Sequence, residues 1–351
     1  MENNEKGSGF FGLDLGKISK YRQEIYGLSI VWIVLLHGAI LNRLKVPAAL
    51  DGLFVILRHG NIGVDIFLLL SGISLYYSFT KDNNLQSYYK KRFTRILVPY
   101  GIIGGVYFLY WDVILRGDAL LFLRDFFMFN FIFKGNKLVW YVLMILSCYL
   151  IYPLIYSAFY NEDGSYRKGS LIRLAVLMAY FIMAAFIIRR FYLKQYNNIE
   201  IMLTRFPVFI LGSFVAGQVK GGKKVPWYGM LVAWIGAITS YFVFERQVTD
   251  DIYQRYYYMI IAVCLVLVFA WLFDRIRLGF LHSFFKFFGA ISFELYLTHI
   301  LIRNLYMKTE WYNGRVYAKY LLLMIPALIV AILVYTVENT LLRAKNGGGD
   351  S

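Results

Sequence analysis

The chain has 351 residues, 59% of them hydrophobic and only 17% charged, which excludes an ordinary soluble domain. Its net charge of +16 lies in short Lys and Arg clusters between apolar runs, a pattern that suits anionic lipid headgroups at least as well as nucleic acid. Both cysteines, Cys148 and Cys264, fall inside apolar runs, so neither a disulfide framework nor a zinc site is indicated.

The first 24 residues are polar and contain no signal-peptide core. They read as a cytoplasmic segment, with the first apolar run retained as a helix. A membrane span needs roughly 17–25 largely apolar residues. Ten candidate runs follow, near 25–41, 61–79, 96–115, 138–159, 171–188, 206–219, 226–244, 256–273, 285–306 and 320–342. The sixth is short, and Gly212 and Gly217 within it leave open a broken or re-entrant helix. The stretch 119–133 is interrupted by Arg124 and Asp125 and reads as interfacial. Short connections leave no room for a soluble domain, no internal repeat is visible, and the tail 343–351 reads as disordered. The expected fold is all-α, a polytopic bundle of about ten transmembrane helices over residues 25–342.

Lys and Arg bias near span ends gives the orientation. The dense Lys81–Arg95 loop, set against a sparse 245–255 loop carrying Glu245, Asp250 and Asp251, places both termini in the cytoplasm.

Charged and titratable groups inside apolar runs are costly and usually mark function. His37 lies in SIVWIVLLHGAIL on the first span, where imidazole is a natural general base for a hydroxyl; a His satisfied by a neighbouring helix is the plainer alternative. Asp65 lies in GVDIFLLLSG on the second span, which also brings Ser71 into the membrane. At about 1.5 Å per residue, His37 sits roughly 18 Å above the inner edge and Asp65 about 6 Å below the outer one. In a core about 30 Å thick the two fall within roughly 6 Å in depth. Asp65 could therefore orient His37, as in hydrolase triads, or pair with an Arg or Lys. Glu294 and His299 enter on the ninth span and add to a polar site, or to a proton or ion path.

Arg92 and Arg95 are three apart and share a helix face. Their guanidinium forks suit phosphate oxygens, although positive-inside anchoring explains such clusters equally well. GGKK at 221–224 lacks the spacing of a phosphate-binding loop and reads as a basic turn. Trp140 and Tyr141 at the start of the fourth span are a ligand wall or, more commonly, an aromatic belt.

In order along the chain, YGLSIVWIVLLH, GVDIFLLLSG, RFTRILVPY, WYVLMILSCYLIYPLI and ISFELYLTH resemble the acyltransferase 3 family of integral-membrane acyltransferases. The resemblance spans roughly residues 20–340. It implies transfer of an acyl group, usually acetyl, from cytoplasmic acetyl-CoA to a hydroxyl of a glycan or other envelope molecule. The family's functional histidine falls on His37 and its arginine pair on Arg92 and Arg95. Many members carry Arg or Lys eleven residues before the histidine, where this chain has Tyr26; Arg22, one helical turn earlier, is the candidate substitute. Some members carry an extra soluble esterase-like domain, which this chain lacks, so the acceptor must reach the membrane site directly or through polysaccharide-assembly proteins. The partners expected are acyl-CoA, the acceptor and membrane lipids, with no nucleic acid, no metal and no permanently bound cofactor. A transporter or flippase using the same carboxylates as proton carriers is the rival, weakened by the lack of visible inverted repeats.

Overall fold

The computed structural model describes residues 12–41, 48–245, 251–309 and 317–347. After the strand β1 (Leu13–Asp14) come α1 (Gly16–Lys20), α2 (Arg22–Leu41), α3 (Ala48–Leu57) and α4 (Ile62–Lys81). Next is α5 (Leu85–Phe108), continued by a π-helical segment, Leu109–Ile114. Then follow α6 (Ala119–Phe126), α7 (Phe129–Lys134), α8 (Trp140–Phe159), α9 (Ser170–Phe191), α10 (Leu193–Leu203) and α11 (Phe206–Lys220). The strand β2 (Lys224–Val225) precedes α12 (Trp227–Glu245), α13 (Asp251–Arg275), α14 (Gly279–Ala290), α15 (Ser292–Met307) and α16 (Tyr317–Gly347). β1 pairs antiparallel with β2, Leu13 opposite Val225, and Lys17 of α1 bonds Asp274 of α13 at 2.7 Å. The polar N-terminal residues from Leu13 onward are thus packed against the bundle.

The architecture is the expected all-α polytopic bundle, with fewer spans than ten. Among the described residues, seven helices are long and apolar enough to cross a membrane. An eighth is added if α14 and α15, bent by 68° at their junction, count as one span. α2 and α12 stand where spans were expected, with 20 and 19 residues, but fall outside this set. The apolar stretch of α4 is 72% buried and that of α9 only 6%, so α4 is the centre of the bundle and α9 its rim.

The sixth expected span is the second half of a longer one, Leu193–Lys220. The ladder breaks between α10 and α11, where Pro207 occupies the first turn of α11, a position that needs no N–H partner. Gly212 is not the break. A Cβ there would strike the Leu69 backbone of α4, and one on Gly72 would strike Phe209 and Ser213 of α11. The glycines let two backbones touch, as small residues do between membrane helices. Gly27 and Gly289 do the same for α2 and α14, against the backbones of Phe285 and Gln23.

Two local expectations change. The Lys81–Arg95 segment is mostly helix: Asn84 caps α5 by accepting from the Ser87 N–H at 2.9 Å, so Lys90, Lys91, Arg92 and Arg95 ride on its first turns. Asp82, just outside, accepts from Ser87 at 2.7 Å and Lys91 at 3.3 Å, which holds its carboxyl below the usual range. The 119–133 stretch is two short helices, with Arg124 exposed and Asp125 turned inward to accept from Asn130 and Asn136, each at 2.9 Å. Part of the expected sparse acidic segment, residues 246–250, lies outside the described residues, as do residues 348–351; the expected disordered tail is instead helical through Gly347, as the end of α16.

Gly212→Ala should lower thermal stability in detergent, costing about 1–3 kcal/mol through overpacking. Gly101→Ala, where a Cβ meets nothing within 4 Å, should stay within about 0.5 kcal/mol of wild type. Equal melting temperatures for the two variants would count against the α4–α11 contact.

Candidate active site

α2, α4, α5, α8 and α15 enclose a cavity of about 250 Å³. It follows α2 from Arg22 to Ile33, about 16 Å of helix. One end carries Arg22, Arg92 and Arg95; Ser71, Tyr141 and Tyr296 line it further in. These arginines come from two helices that are far apart in sequence, so the cluster is a product of packing.

The three cations are not equivalent. Arg22 donates to Ser74 Oγ at 3.1 Å. Arg92 has no carboxylate within 4 Å among the described residues, and its Nε is buried without a hydrogen-bond partner. Arg95 is committed inward, 3.0 Å from Glu338 and 3.6 Å from Glu294. Both carboxylates are at most 1% exposed, and such groups must find a counter-charge inside the protein. Tyr26 stacks on Phe67, with ring centroids 5.0 Å apart, and also lines the cavity.

Past the inner end lie two histidines. His37 Nδ1 is 3.0 Å from Ile33 O and 3.2 Å from His299 Nε2. His299 Nδ1 is 2.8 Å from Leu295 O. A carbonyl only accepts, so Nδ1 of each neutral ring carries the proton. His299 Nε2 is then an acceptor, and His37 shares its Nδ1–H between that nitrogen and Ile33 O. The consequence is specific: His37 Nε2 keeps its lone pair. Ile33 and Tyr296 line the cavity, four and three residues before His37 and His299, so the pair stands about one turn beyond it.

Of the two partners weighed for Asp65, the structure gives it an arginine and not His37. Asp65 pairs with Arg205 at 3.2 Å, the two side chains being 2% and 1% exposed. Depth placed His37 and Asp65 at one level, but neighbouring helices decide partners, and Asp65 turns to α11. Glu294 and His299 likewise separate, one toward Arg95 and the other toward His37. Trp140 and Tyr141 are each 8% exposed, which excludes an aromatic belt: Trp140 lies under the Arg205 guanidinium, 5.1 Å from it, and Tyr141 walls the cavity.

Arg205 and Glu338 were missed. Each is a lone charge flanked by apolar residues, in MLTRFPVF and VYTVENTLL, the same signal that found Asp65. Among the described residues, no three His, Cys, Asp or Glu gather to hold a metal ion.

A family model described as an acyltransferase domain matches residues 27–336. The chain belongs to the acyltransferase 3 family. No curated protein and no solved structure matches it. The acyltransferase is therefore a multi-pass membrane enzyme, with its histidine pair and arginine-lined cavity built from the helices that the family model spans.

Asp65→Asn in this acyltransferase leaves the Arg205 guanidinium without its buried counter-charge and should cost about 3–5 kcal/mol. The pair Asp65→Leu with Arg205→Met should be more stable than either single variant. Thermal unfolding of all three checks this; a double variant no better than the singles would refute the pairing.

Proposed function

We propose that this acyltransferase moves an acetyl or other short acyl group from cytoplasmic acyl-CoA to a hydroxyl of an envelope glycan or related acceptor. The observation that carries the reading is the path from three arginines to a histidine with an unprotonated Nε2. Both termini lie in the cytoplasm of a cell whose plasma or inner membrane holds the chain, and the arginine end faces the donor.

Arg92 and Arg22 take the phosphates of the donor, as charge-assisted bonds favour. Arg95, held by Glu294 and Glu338, shapes the mouth instead. The cavity, about 250 Å³, is smaller than the roughly 300–1,000 Å³ of sites for drug-sized ligands. It suits the narrow pantetheine arm and not the whole nucleotide. The thioester then approaches His37. His37 Nε2 takes the acceptor proton as the hydroxyl oxygen bonds to the acyl carbon; the carbon–sulfur bond breaks and the imidazolium returns that proton to the thiolate. The same lone pair could attack first and carry the acyl group itself. His299 is a positioning residue, because its Nε2 holds the His37 proton on Nδ1. The transporter reading loses support, since Asp65 and Glu294, its proton carriers, are each held by an arginine.

Radiolabelled acetyl-CoA and membrane glycans, incubated with purified protein, test this. His37→Ala should lose transfer by at least about 10²–10⁴-fold while keeping its fold. His299→Gln, which offers an amide oxygen to His37, should retain more activity than His299→Ala. Near-normal turnover by His37→Ala would reject the reading.

The arginines should separate. Arg92→Ala should raise the apparent KM for acetyl-CoA about tenfold to a hundredfold, equivalent to roughly 1.5–3 kcal/mol, and Arg92→Lys should recover part. Arg95→Ala should instead lower the melting temperature, because two buried carboxylates lose their cation. If Arg95→Ala changed KM alone, Arg95 would be a phosphate ligand.

A further inference from the structure

A second cavity, of about 130 Å³, lies at the other end of the same helices. α5 leaves the first cavity at Ile96 and reaches the second at Tyr107, and the π-helical segment adds Trp111 and Asp112. From Arg95 to Asp112 is about 25 Å along the helix. α15 contributes Tyr296 to the first cavity and Asn304 to the second, with His299 between them, about 7 Å below Asn304 along the axis. The histidine pair therefore stands between two cavities that lie toward opposite ends of α5 and α15.

The chemistry of the second cavity differs from that of the first. Asp112 is 1% exposed, and its Oδ2 has no hydrogen-bond partner. The neighbouring Trp111 Nε1 is also buried and unpartnered. Buried polar atoms left so are costly and call for a ligand or water. Asn304 uses its Oδ1 to accept from Tyr107 at 2.6 Å, which leaves its amide N–H groups as donors. Arg116 and Lys308 flank the Trp111 ring, at 5.5 Å and 3.5 Å, and both are exposed, so the cavity opens to the surface. Two carboxylates, Asp112 and Asp125, balance these two cations. The balance disfavours an anion and a metal ion alike. An unpaired acceptor beside two unpaired kinds of donor matches hydroxyls, which donate and accept at once. The volume is about four waters' share of liquid, at about 30 Å³ each, enough for the hydroxyl edge of one sugar ring. A π-helical turn at this wall fits the habit of such turns to mark functional sites.

We propose that this cavity is a binding subsite for a neutral saccharide, held by Asp112, Trp111 and Asn304. Only the naming of that saccharide as acceptor rests on the acyl-transfer reading.

The test uses the full chain in lipid nanodiscs free of sugar detergent, with methyl α-glucoside and maltotriose as probes and saturation-transfer NMR as the readout. Wild type should bind both, and Asp112→Asn should weaken binding at least tenfold. Trp111→Phe should also weaken it, through the lost N–H. An unchanged thermal unfolding midpoint serves as the fold control for each variant. Absent saccharide binding by wild type, or equal binding by Asp112→Asn, would mean the cavity holds only water and would overturn the proposal. Displacement of the saccharide by equimolar phosphate or calcium would overturn its neutral character. The two readings fail separately. Asp112-dependent binding without any acyl transfer keeps the subsite and rejects the enzyme; His37-dependent transfer with an acceptor KM unchanged by Asp112→Asn keeps the enzyme and rejects the subsite.

Discussion

Asp65 and Arg205 form an ion pair 3.2 Å apart in which neither side chain is more than 2% exposed. Two charges can stay in that setting only if each finds the other. The glycine contacts between α4 and α11 bring the partners within reach, and the break before Pro207 turns Arg205 toward α4. Trp140 covers the guanidinium from α8. Three helices are thus locked at the centre of the bundle. The cavity and the histidine pair are built on α4 and its neighbours, so their geometry inherits this constraint.

Charge inside the bundle is partitioned. Asp65 is paired with Arg205, and Glu294 and Glu338 share the single cation of Arg95. His37 faces His299, with no carboxylate as its hydrogen-bond partner. A neutral imidazole acceptor holds the His37 tautomer without stabilising an imidazolium as a carboxylate does. Among the described residues neither Arg92 nor Arg22 has a carboxylate within 4 Å, so two of the three cations at the mouth keep capacity for an anion, and one of them comes from the cluster on the first turns of α5.

Tyr26 stands where the family resemblance implies a cation, and its ring stacks on Phe67. Arg22, one turn earlier on the same helix, reaches the same cavity and bonds Ser74. Positions four apart share one helix face, so Arg22 and Tyr26 line the same wall of the cavity.

The sequence by itself determined the helical membrane class, the approximate place of each long helix, and the unusual status of His37, Asp65, Glu294 and His299. Each of these signals is local: an apolar run of sufficient length, or an ionisable side chain within one. The motif order also carried the family. Tertiary structure alone decided who meets whom. Depth along the membrane normal put His37 level with Asp65, but it carries no information about rotation or neighbours, and Asp65 turned to Arg205 while His299 took the place beside His37. The glycines of α11 read as a break because a sequence does not reveal an approaching backbone. Arg95 read as a twin of Arg92, since helix spacing gives a shared face and not the carboxylates opposite it. Pairing is a property of packed surfaces, and here packing gave Asp65, Glu294 and Glu338 their arginine partners.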